Sequence, residues 1–228
     1  MTCSACASHH ARQSPGQDIA ERGLATISGG QGRLLARPSR RVDGAPPVLP
    51  ALLDRMEHIA GEHDADGLAA VQLGLPWRVV VLRRKDPARR PFYQALINPE
   101  WVSSSADWTG SWERCLSVPW GYRYTERASR IKIRYADEHG VTHTETFEGD
   151  EAVVLQHELD HLHGQLLSDG LGPRDFVPAA RIDEIATAAR QDCRADPERG
   201  CAHWMKVRWQ VYRDTAKATP DSTIQTPR

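Results

Sequence analysis

The sequence predicts an α+β fold in which strands and hairpins pack around one central helix. Three observations carry this. Residues 49–63 show an apolar stripe at helical spacing, Leu49, Leu52, Leu53, Met56, Ile59 and Ala60. Residues 130–135 alternate, placing Ile131, Ile133 and Tyr135 on one face of a strand. Residues 151–163 contain no Gly or Pro and bring Val153, Val154, His157 and His161 to one helical face.

In chain order, residues 1–30 are rich in Ser, Gly and Ala without periodicity and read as a mobile N-terminal extension. The ordered fold is expected from about residue 31. Pro46 and Pro47 precede the first helix, at 49–63, and the β-branched run at 78–82 reads as a buried strand. Asp137-Glu138-His139-Gly140 is a turn signal between the alternating strand and a partner at 141–147. The helix at 151–163 follows and stops at Gly164. Gly170-Leu171-Gly172-Pro173 breaks the chain before a further helix at 178–193, where Ile182, Ile185 and Ala189 recur at helical spacing. Residues 176–228 form a C-terminal helix and a partly disordered tail, with Trp204 and Trp209 anchoring the segment. No repeat is visible.

A chain of 228 residues with 40% hydrophobic content and a formal charge of −1 is an ordinary globular protein, long enough for a substantial core. The balanced charge gives no basic surface for DNA. No apolar run reaches the length of a membrane span, and residues 1–17 lack the apolar core of a secretory signal. Five Cys, an odd number, fit a reducing cytoplasm. Cys3, Cys6, His9 and His10, with Cys193, Cys201 and His203, sketch a structural zinc site, but the spacing of the second set is irregular and argues against it.

The chemistry concentrates in Gln156-His157-Glu158-Leu159-Asp160-His161. On a helix His157 and His161 project from one face and can share an ion, with Glu158 beside them as a general acid/base. Asp160 lies on another face, and His163 cannot turn to the same ion; both read as bystanders. A third ligand must come from elsewhere. Cys115, in Glu113-Arg114-Cys115-Leu116-Ser117, is the candidate; two His and one thiolate leave an open position, as in a catalytic metal site.

Together with Gly67-Leu68-Ala69-Ala70-Val71-Gln72, these segments resemble the peptide deformylases, which carry three such motifs in this order. Leu96-Ile97-Asn98-Pro99-Glu100 and Arg130-Ile131-Lys132-Ile133 are lesser echoes. The resemblance covers roughly residues 31–175, read as the catalytic domain. It implies a deformylase-like architecture and hydrolysis of a formyl amide, with N-formyl-methionyl peptides as substrate. It also implies Fe²⁺ on Cys115, His157 and His161 in the cell. The donor set also accepts Zn²⁺, Ni²⁺ or Co²⁺ in a purified sample. Glu158 then moves the proton from water to the departing amine, and Gln72 and the Leu116 N–H donate to the oxyanion. Gly67 allows close approach of substrate. A formyl-peptide binder without catalysis is the contrasting class, and the complete ligand-and-base set argues against it. A position near the ribosome draws no support from the mixed charges of the C-terminal helix.

The motifs depart from the family around the metal. Ala65 and Val71 replace usual loop residues, and Arg114 replaces the Gly before Cys115. Asp66, Ser111 and Asp150 align with apolar positions of the methionine side-chain pocket, and with Glu113 and Arg114 complete the expected substrate-facing set. Two carboxylates there favour a polar or cationic metabolite or a non-methionine peptide. Asp150 as N-cap of the metal helix, turned to water, is the opposing expectation.

Overall fold

A computed structural model describes Ile19 and residues 22–218. Its centre is an antiparallel sheet of five strands in the order β1 (Gly67–Ala69), β2 (Val79–Lys85), β3 (Pro91–Ser104), β6 (Arg130–Ala136) and β7 (Thr142–Glu148). Strands β4 (Trp108–Cys115) and β5 (Val118–Ala128) form a separate hairpin. Helices α2 (Leu49–Glu62) and α3 (Gly149–Leu162) follow a short α1 (Gly32–Leu35) and cover opposite faces of the sheet. Helices α4 (Ile182–Ala195) and α5 (Gly200–Ala218) close the described chain.

The run at 79–82 lacks alternation because both faces are covered. Val79 and Val81 pack with Leu52, Met56 and Ile59 of α2. Val80 and Leu82 pack with Leu155, Leu159 and Leu162 of α3. Strand β6 has only one covered face: Ile131, Ile133 and Tyr135 are buried between exposed neighbours, as its alternation predicts. The 137–140 turn joins β6 to β7, with the Val141 N–H donating to Asp137 Oδ1 at 2.8 Å.

Several boundaries differ from the sequence reading. Residues 22–30 are not a free extension: Ala25 is buried, its N–H donates to the Gln72 carbonyl at 2.7 Å, and the Ile27 N–H donates to the Ser117 carbonyl at 3.0 Å. This segment ties the loop carrying Gln72 to the turn after Cys115. Periodicity missed it because two cross-chain hydrogen bonds need no amphipathic pattern. Helix α3 begins at Gly149 behind an N-cap at Glu148, so Asp150 lies inside the first turn and is not the N-cap. Cys193 and Cys201 form a disulfide across the α4–α5 corner and are no part of a zinc site; the bond also runs against the reducing compartment expected from the odd cysteine count. Helix α5 itself was unforeseen. It seats Trp209 against Tyr124 of β5, and the indole N–H donates to the Asp175 carbonyl at 2.9 Å. The expectations for Cys3, Cys6, His9, His10 and the last residues lie outside the described chain.

Gly164 ends α3 at φ +74°, and a Cβ there would stand 2.8 Å from the Ala36 carbonyl carbon. An L side chain in that conformation costs about 1–2 kcal/mol before any clash. Gly164→Ala should therefore lower unfolding stability by at least about 1 kcal/mol in urea denaturation; an unchanged midpoint would show that this corner yields freely.

Candidate active site

Three elements meet at the site. Helix α3 presents His157, Glu158 and His161, all buried. Strand β4 delivers Cys115 at its last position, and the short helical turn after β1 carries Gln72. Candidate ligand atoms of Cys115, His157 and His161 lie within 4.8 Å of one another, with Cys115 Sγ 3.2 Å from His161 Nε2. Spacing on the helix and the end of a strand thus converge without any long loop.

Each side chain is held by a neighbour. His157 Nδ1 donates to Glu113 Oε2 at 3.0 Å, which turns Nε2 toward the ligand cluster. Glu113 also receives Arg127 Nε and Nη2 at 2.8 and 2.9 Å, and Arg127 Nη1 donates to Asp160 Oδ2 at 2.6 Å. Glu113, expected to face substrate, therefore has both carboxylate oxygens engaged in positioning His157 and Arg127. Asp160 stands clear of the ligands, and His163 is exposed. The Gln72 side-chain carbonyl accepts the Ala69 N–H at 2.8 Å, which aims its amide nitrogen at Ser117 Oγ (3.2 Å) and Cys115 Sγ (3.9 Å). Gly67 is a necessity of packing: a Cβ would meet Val154 at 2.7 Å and Glu158 Cγ at 2.9 Å.

The electrostatics favour a cation. Burial raises the Glu113 carboxyl, but bonds from Arg127 and His157 overcome this and hold it well below the carboxylate range. Burial likewise opposes the Cys115 thiolate, yet the adjacent His161 and His157 rings hold the thiol well below its usual value. Glu158 behaves oppositely: burial raises its carboxyl, and Oε2 has no hydrogen-bond partner. A thiolate, two imidazoles and an unpartnered carboxylate suit a divalent ion with a water beside it.

Cys115, His157 and Glu158, with Gln72 and Glu113, line a cavity of about 390 Å³ that also includes Asp64, Ala65, Asp66, Ser111, Arg114, Leu116, Tyr122, Asp150, Val153 and Val154. Asp66, Ser111 and Asp150 thus do border it. Arg83 pairs with Asp64 at 2.5 Å and lies 3.8 Å from Asp66. The exposed Arg114 reaches the His63 carbonyl at 3.4 Å. Tyr122, which the sequence reading missed, reaches the wall through a bridge to Val177; only the three-dimensional pairing reveals it.

The polypeptide deformylase family model matches residues 25–176. The chain belongs to that family. A peptide deformylase of Caulobacter vibrioides is 42% identical over 139 residues, covering 60% of this chain and 79% of the relative. The structure of an Acinetobacter baumannii peptide deformylase with Met-Ala-Ser bound superposes at a TM-score of 0.59 with 28% identity, over 65% of this chain and 96% of that one. That of Thermotoga maritima does so at 0.58 with 32% identity, over 67% and 98%. The chain is a metal-dependent hydrolase of the peptide deformylase type, and the α+β architecture agrees with its structural relatives.

Two substitutions test the supports. Glu113→Gln should weaken divalent-ion binding about 10–100-fold, because the group that orients His157 is lost; a chelator-competition titration matching wild type would show that Glu113 does not position the ligand. Gly67→Ala should depress kcat by up to about 10²-fold through displacement of Glu158, with bound metal retained; unchanged kcat would mean that Glu158 adapts without cost.

Proposed function

We propose that this chain removes the formyl group from N-formylated peptides, formyl-methionyl chains among them, with Cys115, His157 and His161 holding a divalent ion. The observation that carries the reading is the convergence of these three donors beside the buried, unpartnered carboxylate of Glu158. A divalent ion held there supplies a Lewis acid and lowers the pKa of a neighbouring water. Fe²⁺ in the cytoplasm is part of this proposal; the soft thiolate with two imidazoles is equally compatible with Zn²⁺, Ni²⁺ or Co²⁺.

Glu158 takes the proton of the attacking water on its free carboxylate oxygen and delivers it to the amine nitrogen as the C–N bond breaks. Water oxygen ends on formate, and the peptide leaves with a free amino group. Gln72 Nε2, fixed by the Ala69 N–H, and the Leu116 N–H at the β4–β5 turn donate to the formyl oxygen as its charge grows. Burial of Glu158 on α3 keeps the proton carrier out of bulk water and raises its carboxyl above the usual value. Gly67 lets the β1 edge lie against Glu158.

Glu158→Ala should keep stoichiometric metal and lose turnover of formyl-Met-Ala-Ser by about 10²–10⁴-fold, the contribution of a positioned general acid/base. Wild-type turnover in a variant of verified metal content would remove Glu158 from this role.

A further inference from the structure

A second space adjoins the metal-site cavity at Asp150. This smaller chamber of about 290 Å³ shares Ser111, Asp150 and Val153 with it, and continues past Thr109, Asp107 and Glu148. The two spaces therefore abut along one wall. That wall has a consistent order on both sides. On β4, Thr109, Ser111, Glu113 and Cys115 occupy alternate positions of one face. On α3, Asp150, Val153, Val154 and His157 follow at helical spacing, so Asp150 stands roughly 10 Å before His157 along the axis. Glu158, whose buried Oε2 has no partner, and the Val153–Val154 pair line the metal-site cavity, and polar groups line the chamber beyond Val153.

We infer that this chamber is the distal half of the substrate side-chain pocket and that it selects a long first side chain ending in a cation. The inference rests on the deformylase reading above and specifies its substrate. The apolar stretch is short, Val153 and Val154, and matches the methylene stem of a lysine-like group. Beyond it the small side chain of Ser111 leaves space that a larger residue at that position of β4 would fill. The carboxylates of Asp150, Glu148 and Asp107 border the far end. One cation is already there: Arg130 pairs with Glu148 at 3.6 Å. Among the described residues no salt bridge engages Asp150. An apolar terminus reaching this point meets hydrated carboxylates and gains little burial, whereas an ammonium keeps its hydration and adds attraction to Asp150.

The test uses the full-length, metal-loaded protein and two readouts. Kinetics would compare formyl-Lys-Ala-Ser, formyl-norleucyl-Ala-Ser and formyl-Met-Ala-Ser; calorimetry would compare binding of the deformylated peptides Lys-Ala-Ser and Met-Ala-Ser. The inference predicts kcat/KM for the lysyl peptide about two- to fivefold above the norleucyl one. The preference should be carried in KM, with Lys-Ala-Ser the tighter ligand. Asp150→Asn should erase most of it, and Ser111→Leu, which blocks the passage, should favour the shorter apolar peptides. A preference for methionyl or norleucyl peptide that Asp150→Asn and Ser111→Leu leave unchanged would overturn the inference and leave the deformylase reading standing. Tight Asp150-dependent binding of Lys-Ala-Ser without turnover of any formyl peptide would do the reverse.

Discussion

The site depends on one buried interaction, the ion pair between Glu113 and Arg127. Glu113 lies on β4 two residues before Cys115, Arg127 lies on β5 four residues beyond Arg123, the register partner of Glu113, and the pair reaches α3 through His157 and Asp160. A carboxylate this deeply buried would ordinarily protonate, and the bidentate guanidinium prevents it. As an acceptor it fixes the proton of His157 on Nδ1 and leaves Nε2 for an ion. Breaking one partner of such a pair strands the other and costs about 3–5 kcal/mol. The same network thus secures the hairpin to the helix and sets the ligand geometry.

Around this pair the fold needs only local rules. Helix α3 supplies two ligands because residues four apart share a face. It covers the sheet with Leu155, Leu159 and Leu162 on the side turned from solvent. The thiolate comes from the last position of β4. The segment at 22–30 then links the Gln72 loop to the Ser117 turn through main-chain bonds, so the candidate oxyanion donors are tied together by backbone. Rigid elements rather than long loops position every group, which suits hydrolysis that depends on preorganised charge.

Much of this was legible in the chain. The stripe of α2, the alternation of β6 and the spacing of His157 and His161 are local patterns, and each appears where periodicity puts it. Cys115 required the resemblance, since a single Cys carries no spacing signal. The part Glu113 plays in holding His157 was not legible because its partners, Arg127 and His157, are brought to it by hairpin formation and helix packing rather than by sequence proximity. The β4–β5 hairpin escaped notice because Trp112, Tyr122 and Tyr124 alternate with charged residues over mostly half-exposed positions. Helix α5 and the Cys193–Cys201 disulfide were hidden by the irregular charge pattern of the C-terminal segment. Asp66, Ser111 and Asp150 were picked out as pocket residues, but the chamber beyond them is visible only once β4 and α3 are set side by side.

The central claim is that Cys115, His157 and His161 form a single metal site. X-ray absorption on the isolated protein, with metal content measured on the same sample, tests it most directly. The account predicts one ion per chain with one sulfur near 2.3 Å and two imidazole nitrogens near about 2.0–2.1 Å for zinc, the sulfur shell vanishing in Cys115→Ala. A full complement of metal bound through oxygen alone, or a sulfur shell that survives Cys115→Ala, would contradict it.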